Sequence, residues 1–231
     1  MVKIIPAILE TSLGSIRDRL GDIAGAASTV QLDVVDGVLA PTHTWPHTPH
    51  GKEEFQAILS GEAGLPHWED FDFEVDLMVK EATREAREWV AAGASRLVVH
   101  AASPDARTAL QTLQESRRNE TFSTLLGLAL ESSDTVEALS SFDGLYDYIQ
   151  VMGIAHVGVQ GAAFDERALT LVAALRTLYP KLSIQVDGGV HLENVKKIAE
   201  AGANALIVGS AIFAEGEPRV NMEELSRVVN S

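Results

Sequence analysis

Eight short apolar runs, each followed by a stretch with helical spacing, set the main constraint on how this 231-residue chain can fold. The runs lie at residues 3–9, 29–35, 71–78, 95–100, 124–130, 146–152, 184–186 and 205–208. Helical patterns fall between and after them, at 12–26, 53–59, 81–92, 105–117, 134–140, 166–178, 191–201 and 221–229. Leu13, Ile16, Leu20 and Ile23 share one face of the first helix, and Val195, Ile198 and Ala199 one face of the seventh. Strand-then-helix alternation demands parallel strands with crossover helices, and eight repeats suit a closed ring. The open doubly wound alternative lacks its GxGxxG fingerprint after the first strand. With no linker or low-complexity tract, the expected fold is a single α/β domain over residues 1–231, a (β/α)8 TIM barrel.

Charge and residue usage narrow the partners. The formal net charge is −15, which repels nucleic acid and anionic membrane but leaves a small phosphate ligand open. Cysteine is absent, which excludes disulfides, thiolate metal ligands and a thiol nucleophile. No apolar stretch approaches the ~20 residues of a membrane span. The first residues, MVKIIPAILETS, read as a strand rather than a signal peptide, so a soluble cytoplasmic protein is expected.

The densest motif is SIQVDGGVHLENVKKIAEAGANALIVGSAIF at 183–213. Two successive strands end in glycine turns, Gly188-Gly189 and Gly209-Ser210, where backbone N–H groups can approach an anion closely. In (β/α)8 barrels a phosphate site is often built after strands seven and eight. Asp187 is the ionisable group at that rim. Asp33 ends the second apolar run and Asp76 lies near the end of the third, with His100 ending the fourth. Gln31 stands two residues before Asp33 and so shares its face of the strand. Carboxylates around one mouth suit removal of a proton on one face of a substrate and delivery on the other. They also suit a hard divalent cation. His43, His47 and His50, with Trp45 and the prolines Pro41, Pro46 and Pro49, mark a long loop read as a lid or subunit contact rather than a metal site.

These residues carry a resemblance to the ribulose-phosphate 3-epimerase family over nearly the whole chain. IIPAIL at 4–9 resembles that family's APSIL, and LDVVDGVLAP at 32–41 its VDVMDGHFVP. VDLMV at 75–79 resembles VHLMI, and VVHAAS at 98–103 the VHxEA stretch. Met152 and the loop after it resemble MSVNPGFGGQ, and VDGGV and VGSAIF match almost letter for letter.

The resemblance implies a sugar-phosphate isomerase in which Asp33 and Asp187 act as acid and base at C3 of a ketopentose phosphate, through an enediolate. It implies a metal set of Gln31, Asp33, Asp76 and Asp187, with Gln31 and Asp76 where the family has histidines. Zinc prefers nitrogen or sulfur, so this oxygen-rich set points to Mg²⁺ or Mn²⁺, or to no metal. Gly161, Gly188, Gly189, Gly209 and Ser210 would hold phosphate. Ala7 (a serine in the family), Met78, His100 and Met152 would line the substrate pocket, and Val35 replaces a family methionine. The loop after the sixth strand keeps Gly158 and Gly161 but loses its Asn-Pro. A homo-oligomer is also implied. Two other readings fit the departures. One is a Mg²⁺-dependent hexulose-phosphate synthase or decarboxylase relative, whose DxK pattern keeps its Asp as Asp76 but has Met78 at the Lys position, with Lys80 two residues further on. The other is a catalytically silent barrel that binds sugar phosphate.

Overall fold

The computed structural model describes residues 1–117, 124–155 and 161–231. Gly158 lies outside them, with the rest of residues 156–160. The strands are β1 (Lys3–Ile8), β2 (Thr29–Val35), β3 (Asp72–Met78) and β4 (Arg96–His100), followed by β5 (Leu125–Leu130), β6 (Tyr148–Met152), β7 (Ser183–Asp187) and β8 (Ala205–Val208). All neighbours pair in parallel and β8 closes on β1, giving a closed eight-stranded barrel. Strands covered on both faces read as continuous apolar runs, and these are buried along almost their full length.

The outer layer contains α1 (Leu13–Ile23), α2 (Gly51–Leu59), α3 (Ala82–Ala91), α4 (Ala106–Arg117), α5 (Arg167–Leu178), α6 (Val195–Ala201), α7 (Ser210–Phe213) and α8 (Pro218–Val229). The apolar stripe expected on α1 is the face it buries, through Ile16, Leu20 and Ile23. Ser12 caps that helix by accepting from the Ser15 N–H at 3.1 Å. Three expectations change. The pattern at 134–140 forms a 3-10 helix, Val136–Phe142, because only Leu139 and Phe142 of it reach the core. The helix expected from 191 begins at Val195, after a turn in which Asn194 Oδ1 accepts from the His191 N–H. Gly209-Ser210, expected only to close the unit, leads into α7, a single turn too short to show a helical pattern.

Register sets which side chains enter the barrel. Gln31 pairs with Glu74, Asp33 with Asp76, Glu74 with Arg96, Gln150 with Gln185 and Met152 with Asp187. Alternate residues of these strands point to one side. The inward set is therefore polar over much of its area, while Leu32, Val34, Val75, Leu77, Ile149, Val151, Ile184 and Val186 face the helices and form the main core. Tyr148 fills the interior opposite Gly127. A Cβ at Gly127 would lie 2.6 Å from the Tyr148 ring, so only glycine fits there.

Candidate active site

The C-terminal ends of β2, β3 and β7 bring Asp33, Asp76 and Asp187 together. One oxygen from each lies within 4.8 Å of the other two. Asp33 is 9% exposed and Asp187 7%, and both open onto a cleft enclosing about 490 Å³, the part open to solvent included. Ala7, Met78, Met152, Gly161, Gly188, Gly189, Gly209 and Ser210 line the same cleft, as the sequence reading placed them. Leu9, Ile154, Val190 and Ile207 complete its apolar walls.

Asp76, Gln31 and His100 stand one shell deeper. Asp76 is fully buried, with Oδ1 at 2.8 Å from His100 Nε2 and Oδ2 accepting from Gln150 Nε2 at 2.9 Å. His100 thus orients Asp76 and does not line the substrate cleft, which revises the expectation for it. Gln31 donates from Nε2 to Asp33 Oδ1 and to Asp187 Oδ2, both at 2.9 Å. Its Oε1 is buried without a partner among the described residues.

Crowding three carboxylates out of water raises the cost of ionising them. Burial, then the charges of Asp187 and Asp76, hold the Asp33 carboxyl well above the usual range. Burial, then the charge of Asp76, push Asp187 up to about 8, against the donated N–H of Gln31. Burial works against a charged His100, yet the Asp76 carboxylate beside it outweighs that and raises its pKa. Asp33 and Asp187 therefore hold their protons more tightly than exposed carboxyls do.

The loop after β2 fixes Asp33. Thr44 Oγ1 donates to the Asp33 carbonyl at 2.6 Å and accepts from the Val35 N–H at 2.9 Å. Trp45 anchors the loop beneath, edge-on to Phe55 and Trp89 with ring centroids 5.6 and 5.7 Å away, and donates from Nε1 to Glu54. The three histidines go separate ways. His43 is exposed, its ring against Gly37, His47 lies 3.5 Å from Glu85, and His50 is exposed at the N-cap position of α2 without a side-chain capping bond. Among the described residues the group able to hold a metal is the aspartate trio. Lys80 follows the end of β3 and is exposed, with its N–H bound to Asp36 Oδ2, so it does not extend the face of Asp76.

The glycine turns bring backbones together. Gly188 and Gly189 have φ of 100° and 66°, and a Cβ on Gly189 would lie 2.7 Å from the Phe164 backbone. Gly153, just after β6, donates to the Asp187 carbonyl at 2.6 Å, and a side chain there would strike the Gly188 carbonyl at 2.2 Å. The β6 and β7 loops are locked together around the end of Asp187's strand.

Sequence reasoning missed Gln150, Gln185, Glu74, Arg96 and Tyr148, which occupy the barrel below the aspartates. A signal existed for Glu74 and Gln185, each of which stands two positions before an aspartate in its apolar run.

Carboxylates from separate strands around one cleft, beside glycine turns, define a (β/α)8 barrel equipped for proton transfer at its C-terminal mouth. The chain belongs to the ribulose-phosphate 3 epimerase family, whose sequence model matches residues 3–213. It is 28% identical over 233 residues to a ribulose-phosphate 3-epimerase of Bacillus subtilis, covering 97% of this chain and 98% of the relative. It is 29% identical to that of Schizosaccharomyces pombe, covering 99% and 93%. Among solved structures, 3-hexulose-6-phosphate synthase from Salmonella typhimurium superimposes with a TM-score of 0.71 at 18% identity, covering 99% of each chain, which speaks to the fold alone. Among the described residues no helix is long and apolar enough to cross a membrane.

Proposed function

We propose that the protein interconverts the C3 epimers of a ketopentose phosphate of the ribulose 5-phosphate type, with Asp33 and Asp187 as the proton-transferring pair. The observation that carries this reading is the placement of both carboxyls on one cleft, tied to each other through the single Gln31 amide and both held above the usual carboxylate range. One, ionised, takes the proton from C3, and the electron pair moves into the C2–C3 enediolate. The other, protonated, returns a proton to the opposite face, inverting the centre. The apolar walls from Met78, Met152 and Ile207 exclude water from the enediolate.

The phosphate would sit against Gly161, Gly188, Gly189, Gly209 and Ser210. Among the described residues the N–H groups of Gly189 and Ser210 have no loop hydrogen-bond acceptor, which leaves them for an anion. The donor set also fits a hard divalent cation. Three carboxylate oxygens lie within 4.8 Å of one another, a spacing that oxygens around one ion with bonds of about 2.1–2.4 Å adopt, and the partnerless Gln31 Oε1 could turn inward as a fourth. Asp33, Asp76, Asp187 and Gln31 would hold such an ion, of the Mg²⁺ or Mn²⁺ class. Bound there, it would stabilise negative charge on the enediolate oxygens.

Asp187→Asn and Asp33→Asn test the assignment. Each is expected to abolish interconversion of ribulose and xylulose 5-phosphates while inorganic phosphate still protects the cleft. Full turnover in either variant would remove that residue from the mechanism.

A further inference from the structure

Two buried amides reach the aspartates, and they differ in how they are held. Gln31 touches Asp33 and Asp187 with its nitrogen, and its oxygen has no partner among the described residues. Nothing on its far side dictates which way the amide faces. Gln150, fully buried on β6, is different. Its Nε2 donates to Asp76 Oδ2 at 2.9 Å and to Asp187 Oδ2 at 3.2 Å, with Met152 Sδ at 3.4 Å. Its Oε1 accepts from Gln185 Nε2 at 2.7 Å. Gln185 Nε2 also donates to Glu74 Oε1 at 2.8 Å, and Gln185 Oε1 accepts from Arg96 Nη2 at 3.0 Å.

The polarity of this column follows from its lower end. A guanidinium has only donors, so the Gln185 group facing Arg96 must be the oxygen. The Gln185 nitrogen then faces Gln150, which must answer with its own oxygen. The Gln150 nitrogen is left pointing at Asp187 and Asp76, which accept. Arg96 is itself fixed. Nε binds Glu74 Oε2 at 2.5 Å, the guanidinium lies 4.2 Å from the centre of the Tyr148 ring, and the Tyr148 hydroxyl donates to the same carboxylate at 2.7 Å. Reversing either amide would set oxygen against oxygen in a buried site and leave those polar groups unmet.

We propose that Gln150 is a positioning residue for proton transfer, its amide aimed by Arg96 through Gln185 so that Asp187 offers its Oδ1 to the substrate. Oδ2 of Asp187 receives N–H groups from both Gln31 and Gln150, while Oδ1 has no bond within the described protein and the residue opens on the cleft. An oxygen that already accepts twice has no room for a proton, so the proton Asp187 exchanges with substrate resides on Oδ1. Gln150 and Gln185 do not line the cleft. Their effect belongs to the chemical step and not to binding.

This inference rests on the acid–base reading of Asp187, and the test separates the two. Kinetics of ribulose 5-phosphate epimerisation would be measured for the wild type, Gln150→Leu and Gln185→Leu. Misplacing a reacting group by about an ångström costs up to roughly 100-fold. Gln150→Leu should therefore lose kcat on the order of 30- to 100-fold with KM within about threefold. Gln185→Leu should lose it in the same direction by a smaller factor. Unchanged kcat, or a loss confined to KM, in the folded variants overturns the proposal. The second readout needs no activity: side-chain amide NMR of ¹⁵N-glutamine-labelled protein. Two resolved, slowly exchanging N–H signals, missing in Gln150→Leu and shifted by Asp187→Asn, are expected. A Gln150 amide that exchanges with solvent as fast as that of an exposed glutamine in the wild type refutes the column whatever the kinetics show. If the wild type proves inactive while those signals appear, the acid–base reading falls and the fixed amide stands. Should Gln150→Leu not fold, Gln185→Leu and the wild-type spectrum decide.

Discussion

Replacing Asp187 by Asn removes a buried charge yet keeps an oxygen for the amides of Gln31 and Gln150 to bond. Burial, and then the charge of Asp76, set the wild-type carboxyl at about 8, against an ordinary 3.8. Between those values the folded chain holds a proton that the unfolded chain has released. Wild-type stability must then fall as pH rises through that window, and the contribution is fully present only below the unfolded value. The size follows from the spacing. Like charges 4.8 Å apart repel by about 3 kcal/mol at the effective dielectric of ~20 that suits protein sites. Asp187→Asn should accordingly be near neutral at about pH 4 and stabilising by about 2–3 kcal/mol at pH 8 in EDTA. Urea unfolding of both proteins at several pH values measures this directly. Parallel stability–pH curves would refute the reasoning, because they would mean Asp187 titrates alike in the folded and unfolded chains.

Arg96→Met leaves Glu74 buried with no cation beside it and should cost about 3–5 kcal/mol in the same assay. Trp45→Ala empties the contact between the β2 loop, α2 and α3, and should cost about 3–5 kcal/mol while loosening Asp33. Mn²⁺ or Mg²⁺ at ~100 times its dissociation constant should add about 2.7 kcal/mol to wild-type stability, seen as a raised thermal midpoint. Asp76→Ala should lose that response; if it responds like the wild type, the ion binds elsewhere.

The barrel was legible because its cause is local. A strand covered on both faces must be apolar throughout, and eight such runs separated by amphipathic helices leave few other arrangements. Asp33 and Asp187 were legible because each stands at or near the C-terminal end of an apolar run, and the rim is where such runs end. The interior column was not. Burial on both faces hides the two-residue alternation, so Glu74, Gln150 and Gln185 read as exceptions inside strands rather than as one inward face. The pairs Gln31 and Asp33, Glu74 and Asp76, Gln185 and Asp187 all repeat that spacing, and the sequence reading used only the first. His100 illustrates the complementary limit. Its place at a strand end suggested the cleft, but register and the free Asp76 Oδ1 drew its ring behind the site. In the loop after β2 the histidines read as lid or contact residues rather than ligands; they do not converge, and the residue that anchors the loop is the buried Trp45.

Solvent deuterium incorporation at C3 tests the central claim most directly. Ribulose 5-phosphate would be incubated with the protein in D₂O and followed by NMR, metal-stripped and then with Mg²⁺, Mn²⁺ or Zn²⁺ restored. A two-carboxyl mechanism predicts that the first epimer formed carries deuterium at C3 while the remaining substrate still carries protium there, because the second carboxyl delivers a solvent-derived proton. Exchange confined to C1, or phosphate binding with no exchange under any metal, would contradict the account.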